Sequence, residues 1–178
     1  MALSRLLLLC VLASEVMWDA ETNPEVFVCS RVARKALNVV PQIQTALGEC
    51  FGSANLSAPV QLPCTELHVA TWENKSDQER KADVVASLGL LRGGVKMLRI
   101  TAQAECGTSL LQRLENNIEN YLLILTHLQL SGPDLSPSLS CVPRSTQSLS
   151  AVLRSYSRLI LGKLERFVVK LEDRCASR

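Results

Sequence analysis

The sequence is short of aromatic residues, histidine and net charge, and each shortage excludes something. Phe, Trp and Tyr make up 4% of the 178 residues, and the formal net charge is +2. A general nucleic-acid binder needs stacking platforms in a basic groove, and neither is available. The histidines are His68 and His127 alone, and no H-E-x-x-H, G-x-S-x-G or phosphate-cradling glycine motif occurs. No two cysteines have the C-x-x-C spacing of a zinc or redox site. The chain therefore reads as a non-enzyme with no metal and no cofactor. Glu115 and Glu119 lie four apart, but a solvated helix face accounts for them better than a catalytic acid pair. Long apolar runs are also missing. The longest, Leu6 to Ala13 (LLLLCVLA), follows Arg5 and falls far short of the ~20 residues of a membrane span. It reads as a secretory signal over residues 1–20, with cleavage between about Ser14 and Ala20. Residues 21–178 then form one domain, secreted and not inserted in a membrane.

The cysteines fit that route. Of 7, Cys10 leaves with the signal, and Cys29, Cys50, Cys64, Cys106, Cys141 and Cys175 remain for three disulfides in an oxidising compartment. Asn55-Leu-Ser57 and Asn74-Lys-Ser76 are N-glycosylation sequons in stretches that read as loop.

Periodicity predicts four helices and no strand. The first runs from about Pro24 to Leu47 on Val28, Val32, Ala36, Val40, Ile43 and Leu47, with Pro41 set to kink or split it. The second opens on the capping box Ser76-Asp-Gln-Glu79 and continues through Val84, Leu88, Leu91, Val95 and Leu98. Gly89, Gly93 and Gly94 in its middle are read as close packing or local irregularity. The third starts near Thr108 or Ser109, where Gln112 would complete a second capping box, and its stripe runs from Leu111 to Leu128. The fourth starts near Ser145, and its stripe runs from Leu149 to Leu171.

The connections are long, short and long: about 25, five and 14 residues. A short connection forces antiparallel neighbours. A 25-residue connection reaches up to ~80 Å and can run back along a helix of ~35 Å. The expected architecture is therefore all-α, an up-up-down-down four-helix bundle with two long crossovers. Six cysteines allow 15 pairings. Cys29–Cys175, Cys50–Cys106 and Cys64–Cys141 is the set consistent with that topology, and the two inferences partly support each other.

Three stretches carry a resemblance. SAPVQLPCTELHVATW (Ser57 to Trp72), AECGTSLLQRL (Ala104 to Leu114) and YSRLILGKLERF (Tyr156 to Phe167) resemble the first crossover, the third-helix start and the last helix of the erythropoietin/thrombopoietin family of haematopoietic cytokines. Cys50 and Cys106 resemble the thrombopoietin branch rather than the erythropoietin branch, whereas Cys64 and Cys141 lie outside the mammalian pattern. With the chain ending three residues past Cys175, it looks like a non-mammalian form without the glycosylated C-terminal tail. The resemblance implies a monomeric ligand that brings together two chains of a type I cytokine receptor, most simply the thrombopoietin receptor. It would then activate Janus kinases and promote megakaryocyte or thrombocyte progenitors. An erythropoietin-like hormone is the second reading. A secreted helical lipid carrier is a third, separable by liposome binding.

The resemblance also implies a receptor surface. It comprises Arg31 and Lys35 on the first helix, Arg80 after the first crossover, and Gly162 and Lys163 on the last helix, with Arg166 beside them. Ser30 stands where the family has Asp, and Glu73 and Leu161 replace basic residues. On a wheel centred on Ile160, Gly162 points to solvent, and Lys163, Arg166 and Lys170 form a basic stripe with Leu159 exposed beside it. Glycine there, costly to a helix, would let a partner approach closely. Glu115, Asn116 and Glu119 are positional candidates for a second, weaker site.

Overall fold

Helix formation in the computed structural model follows the apolar stripes, but the first helix is broken more than Pro41 alone requires. The structure describes residues 23–52, 55–102 and 105–175, so the signal-peptide reading lies outside the described residues. The first helix consists of α1 (Pro24–Cys29), α2 (Arg31–Leu37) and α3 (Val40–Phe51). Asn23 caps α1, and Ser30 breaks the run with extended backbone and caps α2 by accepting from Ala33 N. Pro41 sits in the first turn of α3, where its missing N–H costs nothing. The break turns α2 relative to the expected stripe. Val32, expected inside, is 78% exposed, and Arg34 is buried instead. Arg34 Nη1 donates to the carbonyls of Phe27 and Val28, at 3.2 and 2.7 Å. Its remaining nitrogens reach Glu165 and Glu172 on the last helix. One buried guanidinium thus satisfies acceptors at the break and ties the first helix to the last.

The second helix, α5 (Asp77–Thr101), follows the short α4 (Val69–Glu73). Its capping box is formed in both directions: Ser76 Oγ accepts from Glu79 N, and Glu79 Oε2 accepts from Ser76 N. The third, α6, spans Glu105–His127, several residues earlier than Ser109. Ser109 Oγ bonds back to the Cys106 carbonyl, so the second capping box does not form. Gly107 lies in this first turn, where a Cβ would strike the Phe51 ring of α3, so the third helix packs closely on the end of the first. The last helix starts at α7 (Leu149–Arg158), capped by Ser148. It passes through a π-helical turn, Leu159–Leu164, and ends as α8 (Glu165–Leu171).

Two strands correct the expectation of none. β1 (Asn55–Leu62) in the first crossover pairs antiparallel with β2 (Arg144–Ser148) in the second. The register shifts between Asn55 and Val60, around Pro59, which a regular ladder does not accept. β1 lies on α5 so closely that a Cβ at Gly94 would overlap the Val60 side chain. Asn55 is therefore the first residue of a strand, while Asn74 closes α4 in a turn; both are exposed.

The disulfides report the topology. Cys29–Cys175 joins the start of the first helix to the end of the last, with Cα atoms 5.7 Å apart. Cys50–Cys106 joins the end of the first helix to the start of the third, at 6.2 Å. The first and second helices therefore run one way and the third and fourth the other. Cys64–Cys141 ties the two crossovers, at 6.0 Å. The core between the helices includes Leu47, Val84, Leu88, Leu91, Ile118, Leu125 and Phe167, each 0–1% exposed. Among the described residues no helix is long and apolar enough to cross a membrane.

Candidate receptor-binding face

The residues proposed for receptor contact divide into an outer set and an inner set. Arg31 and Lys35 lie on the outer face of α2, one turn apart and exposed. With Leu161 they border a depression of about 200 Å³ between the first and last helices. Leu161 is 61% exposed and also edges a broader, shallower depression of about 560 Å³. Ser157, Arg158 and Gly162 form one side of it, and Thr65, Glu66 and Leu67 of the first crossover form the other. A Cβ at Gly162 would meet nothing within 4 Å, so no contact within the molecule demands glycine there. The face as a whole is an exposed leucine between two hollows, with Arg31, Lys35 and Arg158 around it.

Lys163 and Arg80 are inside. Lys163 is 3% exposed, and its Nζ donates to Asp83 Oδ2 at 2.9 Å and to Ser140 Oγ at 3.2 Å. It also stands 5.6 Å from the centre of the Trp72 ring. Lys75 approaches the same carboxylate and the same ring, at 3.2 and 5.5 Å. These groups border a hollow of about 350 Å³ beneath the crossovers. Arg80 is 1% exposed and binds the carbonyls of Trp72 and Glu73 and the carboxylate of Asp77. It holds the end of α4 on the start of α5.

The expected basic stripe is therefore not a stripe. Lys163 points inward, and Leu159, expected outside, is 0% exposed. Arg166 is half-exposed and ion-paired with Glu73 at 2.9 Å. The hydrogen bond from Arg166 is the main cause that holds the Glu73 carboxyl below the usual glutamate range. Of the three, Arg166 and Lys170 are exposed and Lys163 is buried. A wheel centred on the bundle core treats one flank of the helix as solvent. Here the crossovers cover that flank, and the wider π turn keeps the rows 159–163–167–171 and 160–164–168 both facing inward.

Sequence reasoning missed Asp83. It lies with Arg80 and Ser87 on one edge of α5, and all three are buried. Polar residues three and four apart beside an apolar stripe were the available signal. On the other side of the bundle, a groove of about 720 Å³ separates α2 from α6 and is lined by Ala33, Leu37, Arg113, Asn116, Glu119 and others. Glu115 does not reach it. It is 5% exposed and binds Arg99 Nε at 2.7 Å, which corrects its reading as solvated surface.

A disulfide-tied, up-up-down-down bundle with two crossovers and outer faces on its first, third and last helices is the architecture of a helical cytokine. Comparison with known proteins agrees. Residues 26–178 match the erythropoietin/thrombopoietin family, and the chain belongs to it. It is 30% identical to rat thrombopoietin over 145 residues, 80% of this chain and 42% of the relative. It is 27% identical to mouse thrombopoietin over 144 residues, 80% of this chain and 38% of that relative. The chain thus spans about two fifths of the length of these relatives. The family is one of cytokines, signalling proteins rather than enzymes.

Proposed function

We propose that this protein is a secreted, monomeric cytokine that dimerises a type I cytokine receptor, with the thrombopoietin receptor as its first candidate. Signalling would pass through receptor-associated Janus kinases and promote megakaryocyte or thrombocyte progenitors. The observation that carries the reading is the exposed Leu161–Gly162 segment between its two hollows, flanked by Arg31, Lys35 and Arg158. An exposed leucine with Arg31, Lys35 and Arg158 near it, and Glu66 and Glu165 on the walls of the two hollows, offers an apolar anchor and an electrostatic guide together. The groove between α2 and α6, with Asn116 and Glu119 on its rim, offers a second face for a second receptor chain. Arg166, exposed and bonded to Glu73, stays a candidate contact, whereas the buried Arg80 supports the fold rather than contacting a partner.

The similarity to two thrombopoietins favours that receptor over the erythropoietin receptor. The test is growth of cell lines that differ only in which of the two receptors they carry. Response through the thrombopoietin receptor alone supports the proposal. Response through the erythropoietin receptor alone replaces it with the erythropoietin-like reading. Silence in both lines together with tight liposome binding would return it to a lipid carrier.

A further inference from the structure

Lys163 adjoins the proposed receptor face in sequence but is closed off from it in space. Its ammonium bonds Asp83 on α5 and Ser140 in the second crossover, and it faces Trp72 in the first. Ser140 Oγ also bonds Asp83 Oδ1 at 3.2 Å, so the carboxylate is held from three sides: by Lys163, Lys75 and Ser140. Ser140 precedes Cys141, whose disulfide to Cys64 leads directly into Thr65, Glu66 and Leu67. Those three residues are the far side of the hollow beside Gly162. Residues 63–68 form neither helix nor strand, so no backbone ladder fixes their position. It is fixed by the neighbouring side chains and the disulfide.

We infer that Lys163 is a positioning residue: with Asp83 it latches both crossovers to the last helix and sets the shape of the receptor-binding hollow without touching the receptor. This rests on the receptor-binding reading proposed above. Loss of the latch leaves the crossover sampling other positions. The binding-competent form becomes a fraction of the population, and apparent affinity falls by that fraction. The loss then shows in the association rate. Loss of a direct contact would show in the dissociation rate.

The test uses Lys163→Met, Asp83→Asn, their double variant and Ser140→Ala, with binding kinetics on thrombopoietin-receptor ectodomain. Amide hydrogen exchange without receptor compares residues 63–75 with residues 111–125. Lys163→Met keeps the side-chain stem, and Asp83 retains Lys75 and Ser140. The latch predicts that Lys163→Met and Asp83→Asn each slow association about tenfold, with dissociation unchanged. The double variant should be no worse than the weaker single one, because both act through one bond. Exchange should quicken in 63–75 and stay unchanged in 111–125. Faster dissociation for Lys163→Met, with Asp83→Asn unaffected, would overturn the inference in favour of direct contact. Equal quickening of both segments would reduce Lys163 to a general structural role. Should Lys163→Met fail to fold, Ser140→Ala carries the test: unchanged association and unchanged crossover exchange overturn the latch. If the unaltered protein does not bind the ectodomain, the receptor reading fails, and the exchange measurements alone decide whether the latch exists.

Discussion

Gly162→Leu separates a tolerated surface glycine from a contact glycine. In the structure a Cβ at this position meets nothing within 4 Å, so the substitution introduces no clash. Replacing glycine inside a helical segment should gain up to ~1 kcal/mol of helix propensity. In a domain of this size that raises the melting temperature by about 2–4 °C. The new side chain would stand beside Leu161 and project over the hollow of about 560 Å³ bounded by Thr65, Glu66, Leu67 and Arg158. If a receptor loop or side chain enters that hollow, it is displaced. The expected loss is at least tenfold in affinity, about 1.4 kcal/mol. Thermal melting and receptor titration on the same preparation measure both effects. A more stable protein with unchanged affinity would refute the placement of the binding face. A protein destabilised by more than about 1 kcal/mol would refute the claim that the site is open.

The other glycines give an internal contrast. Gly94→Ala would push a methyl into Val60, a buried and β-branched side chain with little freedom to move, and should cost about 1–3 kcal/mol. Gly93→Ala, with open space around it, should stabilise by ~0.5–1 kcal/mol; chemical denaturation of both variants checks the pair. Arg34→Met removes the donor to Phe27 and Val28 and leaves Glu165 and Glu172 unpaired by it. A loss of about 2–4 kcal/mol in denaturant melts is expected, and amide exchange should rise first around Ser30. Burial and, secondarily, the neighbouring Tyr121 raise the Tyr156 hydroxyl well above its ordinary value of 10.0, and this hydroxyl donates to Asn117 Oδ1 at 2.6 Å. Above about pH 10 the unfolded chain releases that proton first and binds fewer protons than the native state, so stability should fall as pH rises. Tyr156→Phe should flatten that part of a pH–stability curve; an unchanged alkaline slope would contradict the assignment.

The helix faces were legible because each helix repeats its apolar residues at a helical period. From Leu149 to Leu171, the predicted stripe of the last helix is buried throughout. The capping box at Ser76 was legible because it is local chemistry between residues three apart. The strands were not, although Leu56, Ala58, Val60 and Leu62 alternate as a strand should. Pro59 interrupts that run and is out of place in a regular ladder, and the partner, Arg144–Ser148, is polar throughout. Lys163 was misplaced for a different reason. Its surroundings are set by Asp83, Ser140 and Trp72, which lie 23 to 91 positions away in the chain, and no single-helix projection contains them. Val32 and Arg34 exchanged roles because Ser30, a good cap, interrupts a run that periodicity reads as continuous.

The claim that organises all of this is that one molecule presents two separate receptor faces, one on the first and last helices and one on the first and third. The most direct measurement is the mass of the complex formed by purified protein with thrombopoietin-receptor ectodomain, read by sedimentation velocity across a range of mixing ratios. The account predicts two ectodomains on one ligand at excess receptor. It also predicts that Leu161→Arg, on the first face, and Asn116→Arg, on the second, each leave a complex of one to one. A complex that never exceeds one to one with the unaltered protein, or one that keeps two ectodomains in both variants, would contradict it.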